Sequence, residues 1–286
     1  MPAAHSLAVT EHLPASGPDG FPLVVLVHGS LDRAASFSRV MRRLDDLHTV
    51  AYDRRGYHRS RHAVPLNTTL DGHIDDLLAV IDGRPSVVVG HSYGGDIALG
   101  AAVRHGREAG VVSVVAYEPP MPWLGSWARS PNSAAAMDGA APVGAVSGDV
   151  GVGAASEGDG GSAAEAAERF FRRMMGDASW DRLSETAKAE RWADGPALEA
   201  ELAAIRTREA PFDVTSLTVP AIFGRGERTA TRHRETVGWL SEHVPGAELV
   251  EIAGAGHGAH LTHPDGFAAM VRSAMVRAGF GVGSAR

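Results

Sequence analysis

Short valine-rich runs bounded by turn residues recur at 23–27, 49–52, 86–89, 111–117, 221–223 and 248–252, most of them apolar at consecutive rather than alternate positions. A strand with that pattern has to be covered on both faces, which is the situation inside a parallel sheet. Between the runs the spacing predicts helices. Ile74, Leu77, Leu78 and Ile81 recur at three and four within 70–81; 94–104 is small and apolar, as suits a buried helix; 232–243 and 264–277 are amphipathic. This alternation predicts an α/β fold on a mostly parallel, doubly wound sheet.

The alternation stops between Pro119 and Asp213. Trp123 and Trp127 come first, then a Gly/Ala/Ser-rich acidic stretch over 133–161, then helical patterns at 163–175, 180–193 and 196–208. The sheet pattern resumes at 219–223, so 119–213 is expected to be a helical insertion into one core made of 1–118 and 214–286. Within it, 138–161 has almost nothing to bury and is expected to be a mobile loop. Helices inserted between two sheet strands tend to lie over the strand ends, where α/β proteins bind ligands.

Composition narrows the function. Lys and Arg number 27 against 34 Asp and Glu, a net charge of −7, with no basic block to neutralise a run of phosphates. Nucleic-acid binding is therefore not expected. The absence of cysteine removes disulfides, thiolate catalysis and thiolate-held metals. Residues 1–20 show neither a basic nor an apolar signal region, and no run approaches the roughly 18 apolar residues of a membrane span. The expectation is a soluble, cytoplasmic protein that does not engage a membrane, with nothing to fix its oligomeric state.

The strongest local signal is Gly90-His91-Ser92-Tyr93-Gly94-Gly95, directly after the run 86–89 and opening a predicted helix. That is the context a G-x-S-x-G nucleophile elbow requires: glycines on either side of the serine let the strand reverse sharply and the helix pack close. A serine hydroxyl is a weak nucleophile near neutral pH and needs a base within hydrogen-bond reach. Of the 14 histidines, His257 in Gly254-Ala255-Gly256-His257-Gly258 follows the last predicted strand, on the same sheet edge as Ser92. His5, His12, His48, His105, His233 and His243 fall on termini or polar helix faces and read as solvated, and His91 reads as a local packing residue. The spacing of His257, His260 and His263 is disfavoured as a metal site, because Pro264 follows at once and no carboxylate cluster accompanies them.

These motifs resemble the α/β-hydrolase fold superfamily, in particular small bacterial serine hydrolases akin to esterases, lactonases and cofactor-free perhydrolases. The likeness extends through His28-Gly29-Ser30, Asp53-Arg54-Arg55-Gly56-Tyr57, the elbow at Ser92, and Gly256-His257 with Pro264 and Phe267 after it. It implies that 119–213 is a helical cap, that Asp53 is structural, and that the N–H groups of Ser30 and Tyr93 form an oxyanion hole. The family's usual acid position, after the strand ending at Phe223, holds Glu227 between two arginines. A second candidate, Glu118, ends the strand 111–117 and is fixed by Pro119 and Pro120. Its neighbours are apolar, and an ionised carboxylate there needs a partner such as an imidazolium. Glu118 is preferred, with Glu227 as the alternative.

The expected function is hydrolysis of a carboxylic ester or related acyl bond of a small molecule through an acyl-enzyme, with no cofactor and no metal. A lactonase, C–C hydrolase or perhydrolase would use the same residues, and a non-hydrolytic biosynthetic or ligand-binding member would share the fold. Trp123, Trp127, Phe170, Phe171, Met174 and Met175 would either line an acyl pocket or form the cap's own core.

Overall fold

The computed structural model describes residues 7–15, 17, 21–63, 67–124, 162–206 and 209–281. The stretch 138–161 expected to be mobile, together with Trp127 and His5, lies outside the described residues. Seven strands form one sheet: β1 (Val9–His12), β2 (Leu23–Val27), β3 (Thr49–Tyr52), β4 (Ser86–His91), β5 (Val111–Tyr117), β6 (Ala221–Gly226) and β7 (Glu248–Ile252). Their spatial order is β1-β3-β2-β4-β5-β6-β7, with β1 antiparallel to β3 and the other neighbours parallel. Every residue of β2, β3, β4 and β5 is buried.

The pleat sends alternate residues of these strands to two cores. Val25, Val27 and Val88 pack on one face against Ile74 and Leu77 of α1 (Leu70–Ile81) and Ile97 of α2 (Tyr93–Arg104). Val24, Leu26 and Val89 pack on the other against Phe267, Met270 and Val271 of a C-terminal helix. Both edges differ from the sequence expectation. β1 carries no apolar run because most of it faces solvent, and only its pairing, Val9 with Tyr52 through His12 with Thr49, makes it a strand. β7 is an edge strand, half-buried, with Glu251 exposed rather than covered.

The insertion is helical where it is described. α3 (Ala163–Met175) begins with a reciprocal capping box between Ser162 and Glu165. The single helix expected over 180–193 is two, α4 (Asp177–Asp181) and α5 (Glu185–Ala193), because Ser184 stops one and caps the next by accepting from the Ala187 N–H at 3.2 Å. α6 (Gly195–Arg206) has Pro196 in its first turn, where a missing N–H costs no intrahelical bond.

These helices dock on the loops that follow β2 and β3. Leu198 and Ala167 bury Leu31, with Phe170 and Phe171 packed against them, so both phenylalanines serve the insertion's own core. Glu190 pairs with Arg33 at 2.7 Å, and the buried Asp194 accepts from the His58 N–H at 3.0 Å and from Arg61 at 2.6 Å. The chain closes with α7 (Thr231–His243), α8 (Ala259–Thr262) and α9 (Pro264–Arg277). Among the described residues no helix is long and apolar enough to cross a membrane.

Candidate active site

The β4–α2 turn holds Ser92 at φ 52°, ψ −129°, a backbone region that a residue with a side chain rarely adopts. Such strain costs on the order of 1–3 kcal/mol and persists only where neighbours enforce it. Here the Ser92 N–H donates to the Tyr117 carbonyl at 2.9 Å, and the Gly95 N–H to the Ser92 carbonyl at 2.6 Å. The glycines are demanded by contact: a Cβ on Gly90 would lie 2.1 Å from the Gly94 oxygen, and one on Gly94 would lie 2.2 Å from the Val27 oxygen. Gly94→Ala is accordingly expected to lower the melting temperature by about 5 °C or more. Gly238→Ala, whose Cβ would meet nothing within 4 Å in α7, is expected to stabilise by up to about 1 kcal/mol. Thermal melts of the two variants side by side check both.

Glu118 leaves β5 at φ 49°, a second strained non-glycine residue, and is fully buried. Its Oε1 accepts from the Gly226 N–H at 2.8 Å, and its Oε2 lies 2.7 Å from His257 Nδ1. Burial alone would push this carboxyl up; the His257 hydrogen bond and charge, with the Gly226 N–H, outweigh that and hold it below its ordinary value. Because a carboxylate only accepts, His257 carries a proton on Nδ1, which leaves Nε2 as the basic atom in the neutral ring. Glu227 is placed differently. It is exposed, and its Oε2 accepts from the Gly254 N–H at 2.7 Å, so that it pins the turn after β7 and makes no hydrogen bond to His257.

Two further histidines, one expected to pack locally and one expected to be solvated, frame His257. His91 Nε2 meets the His257 carbonyl oxygen at 2.9 Å, a tie across 166 positions rather than a local contact. His233, read as solvated, is 2 % exposed and stacks on the His257 ring at 4.8 Å with 19° between planes. Nothing in the local sequence of α7 marks that face as buried. His260 instead lies 3.3 Å from Asp32, and His263 meets Thr262 Oγ1 at 2.9 Å, so the three regularly spaced histidines face different partners. Asp53 is buried and accepts from the Ala34 N–H, His58 and Arg59, tying the loop after β3 to the one after β2.

Ser30 follows β2 beside the elbow, where a Cβ on Gly29 would lie 2.9 Å from Ser92 Cβ. Tyr93 opens α2, whose first-turn N–H groups have no partner within the helix. A cavity of about 290 Å³ borders His257, lined among others by Met174, Met175, Arg228, Arg232 and Leu261. The two methionines of α3 thus reach the site, whereas Trp123 packs on Phe212 at 6.0 Å.

The buried imidazoles give the fold an acid limit. Burial and Arg54 push His28 down to about 3, and burial first of all also lowers His73, His91 and His233. As pH falls through about 6.5 the unfolded chain takes up protons on these four more readily than the folded chain does, so stability is lost as pH falls. Asp96, raised by burial, acts in the opposite sense, but as one group against four. The melting temperature is expected to drop by about 5 °C or more between pH 7 and pH 5; a flat or rising profile would contradict this balance.

A sequence model of the alpha/beta hydrolase family matches residues 24–270, and the chain belongs to that family. It is 31% identical over 126 residues to Lipase LipV of Mycobacterium tuberculosis, a match spanning 43% of this chain and 47% of that protein. It is 37% identical over 103 residues to the uncharacterized hydrolase YraK of Bacillus subtilis, spanning 34% and 37% of the two chains. Each match thus covers less than half of the relative's length. Among solved structures, a thermophilic esterase from Thermogutta terrifontis superimposes with a TM-score of 0.63 over 95% of this chain and 93% of its own, at 18% identity. That likeness is one of fold.

Proposed function

We propose that the protein is a serine hydrolase that cleaves a carboxylic ester or related acyl bond of a small molecule, with 119–213 as its cap. The observation that carries the reading is the 2.7 Å contact between His257 Nδ1 and the buried Glu118, at the sheet edge where Ser92 is held in its strained turn. Ser92 Oγ attacks the acyl carbon and its proton passes to His257 Nε2. Glu118 stabilises the imidazolium, and the N–H groups of Ser30 and Tyr93 hold the oxyanion. Collapse of the tetrahedral species expels the alcohol, which takes the proton from His257. Water, deprotonated by the same nitrogen, then attacks the acyl-enzyme and releases the acid with Ser92 restored. The relative called a lipase and the esterase of like fold support this class of bond. Mixing the protein with a p-nitrophenyl ester tests it: a burst of about one p-nitrophenol per chain before steady turnover is expected when deacylation is slower than acylation. Absence of any turnover across short-chain and long-chain esters would count against an ester hydrolase.

A further inference from the structure

We infer that Arg54, neutralised by Glu201 of the inserted helices, is a positioning residue that aims the Ser30 N–H at the reacting carbonyl. The inference rests on the serine-hydrolase reading and adds to it a link between the insertion and the oxyanion donor.

In a trans peptide the C=O and the following N–H point in opposite directions, so whatever fixes the Gly29 carbonyl also fixes the Ser30 N–H. That carbonyl is held twice, by His28 Nδ1 at 2.7 Å and by Arg54 Nη2 at 3.0 Å. Arg54 Nε holds the preceding carbonyl, that of His28, at 2.9 Å. The tautomer of His28 is fixed by a further bond: its Nε2 accepts from the Arg54 N–H at 2.9 Å, so the ring proton sits on Nδ1 and donates to Gly29. Arg54 therefore grips both carbonyls that lead into Ser30 with a planar fork of donors, which an ammonium group does not reproduce.

A guanidinium buried this completely needs an opposite charge. It comes from α6, where Glu201, equally buried, lies 2.5 Å from Arg54 Nη1 through Oε1, with His73 Nε2 3.2 Å from the same oxygen. The other oxygen of Glu201 accepts from Ser30 Oγ at 2.7 Å. The guanidinium also lies 4.8 Å from the centre of the Tyr57 ring and 5.4 Å from that of Tyr93, the residue that bears the second donor. One buried cation thus holds the peptide that carries the Ser30 N–H and lies against the ring of Tyr93, and its counter-charge belongs to the insertion.

If Arg54 only stapled the insertion to the sheet, its loss would weaken the fold and leave the chemistry of the folded fraction alone. The test separates these cases with full-length protein and an alkyl trifluoromethyl ketone, to which Ser92 Oγ adds while its proton passes to His257, placing an oxyanion in the hole. Arg54→Lys keeps the positive charge for Glu201 but loses the fork. It is expected to lower kcat for p-nitrophenyl acetate by about 10- to 100-fold with KM within about twofold, and to weaken the ketone by a similar factor. The double variant Arg54→Met with Glu201→Met replaces the ion pair by apolar side chains, an exchange that is often tolerated, and is expected to remain folded yet show the same loss. Asp194→Asn removes the charge from a different tie between insertion and core, to His58 and Arg61, and is expected to lower the melting temperature without changing kcat. Wild-type kcat and ketone affinity in a folded Arg54→Lys or Met/Met variant would overturn the inference, as would an equal loss in Asp194→Asn; the serine-hydrolase reading would survive both. Failure of the wild-type protein to hydrolyse the ester or bind the ketone would remove that reading and this inference with it.

Discussion

Ser92→Ala is expected to abolish ester turnover and labelling by a fluorophosphonate while leaving the melting temperature within a few degrees of wild type. The substitution removes one hydroxyl from a turn whose shape is set by backbone bonds to Tyr117 and Gly95 and by glycines at 90 and 94, none of which involves Oγ. Nucleophile and base act as one unit, so removing either costs about as much as removing both, on the order of 10⁶ in turnover in a well-measured triad. His257→Ala is expected to fall about as far. Retention of more than a few per cent of turnover in Ser92→Ala, free of contaminating esterase, would move the nucleophile elsewhere.

The second large effect distinguishes the two glutamates. Glu118→Gln is expected to lower turnover by as much as about 10⁴-fold, because an amide facing His257 Nδ1 no longer stabilises the imidazolium and permits the wrong tautomer. Glu227→Gln is expected to leave most of the activity and to change stability by no more than about 0.5 kcal/mol, since the exposed side chain's one bond, to the Gly254 N–H, can be accepted by an amide oxygen. The reverse result would transfer the acid to Glu227. If neither substitution matters, the site works without a carboxylate at His257 Nδ1.

The sheet was legible because its central strands are buried on both faces and must be written in consecutive apolar residues. The edges were not. β1 owes its conformation to pairing with β3, and Glu248 and Glu251 interrupt the apolar run of β7 where it meets solvent. In the insertion, helical content was readable but the break at Ser184 was masked by a spacing that continues through it, although the serine itself is the capping signal.

At the site, the Gly-flanked serine and the Gly-flanked histidine stood out because close backbone approach leaves few residue choices. The preference for Glu118 rests on a charge that has to be buried among apolar neighbours; its carboxyl lies 2.7 Å from His257 Nδ1, and Glu118→Gln tests whether it is the acid. His91, His233 and Glu201 were not found. Each acts through a contact more than 20 positions away in sequence, and for His233 and Glu201 a helix's polar residue carries no local mark of facing inward.

Covalent capture tests whether Ser92 is an activated nucleophile. The full-length protein is treated with a fluorophosphonate, its intact mass measured, and the adduct located by tandem mass spectrometry. A single adduct on the peptide carrying Ser92, lost in Ser92→Ala and strongly slowed in His257→Ala, is the predicted result. A folded wild-type protein that takes up no label, or takes it up on a residue other than Ser92, would contradict the account.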